Sequence, residues 1–170
     1  LTAPDKPDDW MKYSIVGASS RLIYPTISNY DGNTFELRGI ASKLSDHYFF
    51  NMSAAMMYDI GNDKRLGGNR RGWSVSSFLR SSLPVKIFEK PLIAEFGWQR
   101  ANWQSQKIYL PGLIDVKKHQ VNSILRTSVG LPVFDHSIIQ IEYRRVLNRE
   151  NISFLSFESN QIQLSWQWQR

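Results

Sequence analysis

Cysteine is absent from this chain of 170 residues, which excludes disulfides, thiolate metal sites and cysteine nucleophiles together. Also missing is any apolar run near the ~18 residues that a membrane-crossing helix requires, so a helical membrane protein is excluded. The three histidines, His47, His119 and His136, show no His-x-x-x-His spacing, and the carboxylates are dispersed. No metal site and no cofactor are therefore expected. No charged-then-apolar leader opens the chain at Leu1, which reads as a mature protein or a piece of a longer one.

Aromatic residues, by contrast, reach 13%, with six tryptophans and seven tyrosines, beside an ordinary 42% apolar and 21% charged content. That excess suits a membrane-interface girdle, and it also suits a packed β-sandwich. The net charge of +6 raises nucleic acid as a partner. The basic residues are scattered, however, clustering only from Lys64-Arg65 to Arg70-Arg71 and at Lys117-Lys118. No nucleic-acid partner is expected; anionic lipid headgroups or phosphorylated sugars account for the charge as well.

Alternation of apolar and polar side chains is the chain's main signal. From Asn160 to Arg170 it puts Ile162, Leu164, Trp166 and Trp168 on one side of a strand and Gln161, Gln163, Ser165, Gln167 and Gln169 on the other. Eight such segments are expected, at Met11 to Tyr24, Thr34 to Leu44, Tyr48 to Ile60, Gly72 to Leu83, Pro91 to Gln104, Gln120 to Leu131, Ser137 to Leu147 and Asn160 to Gln169. Residues 1–10 read as a linker or loop and 11–170 as one β domain. The expected connections, 27–33, 45–47, 61–71, 84–90, 105–119, 132–136 and 148–159, largely alternate long and short. An up-and-down barrel with both chain ends on the periplasmic side of an outer membrane has that alternation.

The faces separate cleanly in four segments. Phe50, Met52, Ala54, Met56, Tyr58 and Ile60 oppose Asn51, Ser53, Ala55 and Asp59. Leu92, Ala94, Phe96 and Trp98 oppose Glu95, Gly97 and Gln99, with a phase slip expected near Arg100, absorbed by a bulge or by the membrane boundary. Val121, Leu125, Thr127, Val129 and Leu131 oppose Gln120, Asn122, Arg126 and Ser128; Ile139, Ile141 and Tyr143 oppose Gln140, Glu142 and Arg144. The first two segments alternate poorly. Charges on the polar side, Arg38, Arg80, Glu95, Arg126, Glu142 and Arg144 with Glu36 and Asp59, are prohibitive in a dry core and acceptable in a watery or ion-paired barrel interior. The competing reading is the solvated face of an ordinary antiparallel sheet.

Chemistry is sparse. Asp135-His136-Ser137 brings a base beside a nucleophile, but neighbouring strand residues point apart, so no catalytic residue is expected. Gly67-Gly68 lacks the strand-then-helix setting of a phosphate loop and reads as a flexible loop tip. Trp73, Trp98, Trp166 and Trp168 are expected at a membrane interface, although Trp98, Trp103, Trp166 and Trp168 also invite a sugar-stacking platform. The connection at 105–119 is unusually apolar; Tyr109, Leu110, Pro111, Leu113 and Ile114, with Arg65 and Arg70 of the neighbouring connection, are the candidates for a plug or a partner-binding surface.

Tyr143-Arg144-Arg145, Asn148 to Asn151, Phe154 to Glu158, the strand Gln161 to Trp168 and the stretch Leu66 to Trp73 resemble the carboxyl-terminal barrel of tetratricopeptide-linked bacterial outer-membrane proteins. Surface lipoprotein assembly modifiers and export porins are examples. Gln161, Trp166 and Trp168 fit the terminal assembly signal of those proteins, whereas Gln163 stands where glycine is usual and Gln169-Arg170 run past the customary aromatic end. The resemblance implies an all-β, antiparallel up-and-down transmembrane β-barrel of about eight strands, alone or as the carboxyl-terminal part of a larger barrel. It implies a bacterial outer-membrane conduit or scaffold for export or surface display of a lipoprotein, protein or polysaccharide, not an enzyme. The implied partners are outer-membrane lipid and lipopolysaccharide, the barrel assembly machinery and the exported macromolecule. A small lipid A-modifying or adhesive barrel and a soluble carbohydrate-binding β-sandwich are the alternatives.

Overall fold

Alternating apolar residues gather on one side of a pleated ribbon, and β-branched and aromatic side chains fit that surface well. The computed structural model describes residues 11–23, 31–87, 90–134 and 137–168. They form one antiparallel sheet of eight strands: β1 Lys12–Leu22, β2 Gly32–Leu44, β3 Tyr48–Gly61, β4 Arg70–Ile87, β5 Lys90–Leu110, β6 Ile114–Phe134, β7 Ser137–Glu150 and β8 Phe157–Trp168. Spatial order follows chain order throughout, an up-and-down meander without crossovers. The only other element among the described residues is a 3-10 turn at Ser153–Leu155, and no helix is long and apolar enough to cross a membrane. The all-β, eight-stranded, antiparallel expectation is what the chain adopts. The sheet is open, since β1 pairs only with β2 and β8 only with β7 among the described residues. The expected linker at 1–10 lies outside them.

The chain passes from β2 to β3, from β4 to β5 and from β6 to β7 at one end of the sheet, the short-turn end, with 45–47 there; connections 62–69, 111–113 and 151–156 lie at the other, the loop end. Three expected connections are too long: strand β4 runs on to Ile87 within the expected 84–90, β6 runs on to Phe134 within 132–136, and the largest difference is at 105–119. Residues 105–119 are no loop but the outer arms of β5 and β6, each of 21 residues, joined by a tight turn at Pro111, Gly112 and Leu113. Gly112 takes φ +84, which a side chain would strain, and its N–H donates to Asp115 Oδ1 at 2.8 Å.

Register fixes the faces. One rung runs Lys43, Phe50, Leu79, Phe96, Thr127, Tyr143, Ile162. Residues two apart from these share its side, so Leu37, Met56, Trp73, Trp98, Leu125, Ile141 and Trp166 lie on one apolar face, and Tyr13 and Ile15 extend it across the weakly alternating β1. The ladder passes Arg100 without a shift, pairing it with Val75 and Ser123. The expected bulge there does not occur; irregularities fall instead at Ser82 to Lys86, Gln104 to Leu110 and Pro132 to Phe134. Arg100 and Trp103 simply sit where the apolar band has ended.

That band crosses the strands obliquely. The rung through Phe50, the short-turn end of the apolar run in β3, reaches Ile162, the loop-end limit of the apolar run in β8. Between β3 and β8 the band's midline thus drops about eight residues over five strand steps, roughly 26 Å against 24 Å, a slope near 45° at ~3.3 Å per residue and ~4.8 Å per strand. The β3 run from Phe50 to Ile60 is roughly 33 Å long, so at that slope it covers about 23 Å across the band. Nothing among the described residues covers it: Ile162 is 80% exposed, Leu164 70%, Trp166 71% and Ile141 57%. Ala55 and Ile152 are the only buried apolar residues described.

Candidate functional site

The opposite face carries the charge. Strand parity puts Arg38, Arg80, Glu95, Arg126, Glu142 and Arg144 on this one side, together with Glu36, Asp59, Arg70, Trp103 and Glu150. Most are paired locally. Arg38 Nε lies 2.5 Å from Glu36 Oε1, Arg126 Nη2 2.8 Å from Glu142 Oε2, and Lys118 Nζ 3.0 Å from Glu150 Oε2. Arg80 reaches Glu95 at 3.7 Å. Glu95 Oε2 also accepts from Ser128 Oγ and Gln140 Nε2, and Gln167 Nε2 donates to Gln140 Oε1, so one amide and hydroxyl network spans β5 to β8. Arg144 stands directly across the ladder from Arg126. With Glu142 taken by Arg126, Arg144 is exposed and has no ion-pair partner among the described residues.

The loop end is where this face becomes dry. Asp59 Oδ2 accepts from Arg65 Nη2 at 2.6 Å and from Arg70 Nη2 and Nε at 2.5 and 2.9 Å. The Asp59 and Arg65 side chains are only 4% and 8% exposed, and the Arg70 guanidinium lies 5.2 Å from the Trp103 ring centroid. Two cations on one carboxylate are tolerable because charge-assisted bonds offset the lost hydration. Connection 62–69 is folded down to deliver Arg65. Its turn is set by Arg65 N–H donating to the Asn62 carbonyl and Gly68 N–H to the Arg65 carbonyl, and Gly67 and Gly68 take φ +76 and +64.

This latch is tied to β5. Gln106 N–H donates to the Asn69 carbonyl at 2.8 Å and Lys107 N–H to the Gly67 carbonyl at 3.0 Å. A Cβ on Gly67 would lie 2.7 Å from Ser105 Oγ, which is why glycine is needed there. Gly67-Gly68, expected as a loop tip, is instead buried against β5. Tyr58 Oη, on the apolar face, accepts from Asn69 Nδ2 and Gln106 Nε2 and clasps the outside of the same corner.

Set against the expected site residues, the structure divides them. The six interior candidates share a face, and Trp73, Trp98, Trp166 and Trp168 share the other. Arg65 and Arg70, expected to meet a partner, are spent on Asp59. Tyr109 lies under Lys118 Nζ at 5.6 Å, with Leu110 and Ile114 half-buried at the hairpin end. Pro111 and Leu113 are exposed, Leu113 at 77%. Of the four tryptophans grouped for sugar stacking, Trp103 stands apart on the charged face against Arg70, while Trp98, Trp166 and Trp168 share the apolar face. His119 is held by Asn102 through its Nε2 at 2.9 Å, and His136 lies outside the described residues. Among the described residues no group of three histidines and carboxylates could hold a metal. What sequence reading missed is the latch itself: parity gave Asp59 and Trp103 their face, but nothing in the spacing showed that 62–69 folds onto β5.

No family model, curated protein or solved structure matches the chain.

Proposed function

We propose that this protein is part of the wall of an outer-membrane β-barrel, with hydrocarbon against the apolar face, water against the charged face, and a role as conduit or scaffold in export or surface display of a macromolecule. The oblique, uncovered apolar band carries the reading. Its slope near 45° and height of about 23 Å are close to the ~35–45° strand tilt and ~25 Å apolar belt of such barrels. A contiguous apolar surface of this extent is not left to water in a soluble monomer.

The open edges and the half-exposed ion pairs favour a wide, watery interior over one filled by side chains, as eight strands closing alone would have. Arg144, exposed on the charged face beside the Arg126–Glu142 pair, offers cationic footing to an anionic or amide-rich polymer. Pro111 and Leu113, at the projecting hairpin, supply the exposed contact surface at the loop end.

Fractionation of bacterial envelopes tests this. The proposal expects the protein in the outer-membrane pellet, retained through carbonate washing, released by detergent and showing a heat-dependent gel shift. Release by salt or carbonate overturns it and supports a soluble sheet protein instead.

A further inference from the structure

The apolar face holds an open groove of about 550 Å³ at its loop end, crossing β2 to β5. Two adjacent rungs floor it. The outer rung is Phe35, Tyr58, Arg71, Gln104 and the inner one Leu37, Met56, Trp73, Asn102. Composition changes sharply along the groove: β2 and β3 supply apolar and aromatic side chains, while β4 and β5 supply a guanidinium and two primary amides.

Arg71 is exposed, and no ion pair or hydrogen bond of its side chain is found among the described residues. Arg100, two rungs nearer the short-turn end on β5, shares its face and is likewise exposed. No carboxylate lines the groove to balance them. Because the band runs obliquely, the direction into the apolar belt from Arg71 leads toward lower rungs and toward β2, across Met56 to Leu37. The polar end of the groove therefore lies at the edge of the belt and the apolar end inside it.

We infer that this groove binds one phosphorylated lipid, with its phosphate on Arg71 and the Gln104 amide and an acyl chain laid over Trp73, Met56 and Leu37. The inference rests on the membrane reading for its setting. Charge complementarity selects the occupant: a guanidinium at an apolar boundary favours a phosphate that carries net negative charge over a zwitterionic headgroup.

Native mass spectrometry of the detergent-purified protein decides it, by titration with dimyristoylphosphatidylglycerol and, separately, dimyristoylphosphatidylcholine. A single adduct should form with the anionic lipid at about tenfold lower concentration, the usual scale of one charge-assisted contact. Arg71→Gln should bring the two lipids level, Arg126→Gln on the opposite face should change nothing, and millimolar inorganic phosphate should not displace the lipid. Equal binding of both lipids, an unchanged Arg71→Gln protein, or displacement by free phosphate would each overturn the inference. Should the protein prove soluble without detergent, the membrane reading fails by itself. The same titration in water with dihexanoylphosphatidylglycerol and dihexanoylphosphatidylcholine still decides the groove.

Discussion

Leu164 and Gln163 are neighbours on β8, pairing with Ile141 and Glu142 of β7, and they stand on opposite faces of one sheet. Around Leu164 the neighbours across the ladder are Ile141 and Val129; around Gln163 they are Glu142 and Ser128. Both faces are open, so neither is a protein core in the ordinary sense. On the proposed membrane reading the sheet separates two solvents, because an apolar medium rewards the first face and a polar one the second.

The sharpest exception lies within the charged face, and it gives the largest expected effect. At the loop end Asp59 and Arg65 are as dry as a core pair. Asp59→Ala leaves Arg65 buried without its counter-ion and should cost about 3–5 kcal/mol, read by urea unfolding followed through tryptophan fluorescence. A cost below 1 kcal/mol would show the latch to be wet like the rest of that face.

Next comes the contrast between the faces themselves. Leu164→Arg should destabilise the protein in lipid vesicles by about 2–4 kcal/mol, while Gln163→Arg one residue away should stay within ~0.5 kcal/mol. Equal costs would erase the distinction. The smallest effect belongs to the half-exposed pair of Arg126 and Glu142, where Glu142→Gln should cost no more than about 1 kcal/mol. That cost should shrink further in 1 M salt, which screens charges to within ~3 Å.

How much of this was legible in the sequence follows from where the two faces differ in polarity. In β3 and β6 to β8 the strands cross the apolar band, parity is enforced on both sides, and Phe50 to Ile60 or Ile162 to Trp168 could be assigned a face residue by residue. Beyond the band that pressure stops. Residues 105–119 carry Lys107, Lys117 and Lys118 among apolar neighbours, and the ladder shifts between Gln104 and Leu110, so a projecting hairpin reads as a loop. Arg100 reads as a phase slip for the same reason: it lies past the edge of the band with its parity intact.

The latch was hidden for a different reason. Its closure depends on backbone hydrogen bonds from 106 and 107 to 67 and 69 and on two glycines at positive φ, none of which leaves a period in the sequence. Arg65 and Arg70 were visible as a basic cluster, but their shared carboxylate sits on the preceding strand. Trp103, grouped by composition with the other tryptophans, faces Arg70 because it is odd in the β5 parity that makes Trp98 even.

The absence of cysteine makes the central claim directly measurable. Single substitutions along β8, Ile162→Cys, Gln163→Cys, Leu164→Cys, Ser165→Cys and Trp166→Cys, can be probed in isolated membranes with a membrane-impermeant maleimide. The account predicts labelling at positions 163 and 165 and protection at 162, 164 and 166, with protection lost once detergent-free denaturant unfolds the protein. Uniform labelling of all five positions in the folded protein would contradict it, because the apolar face would then be in water.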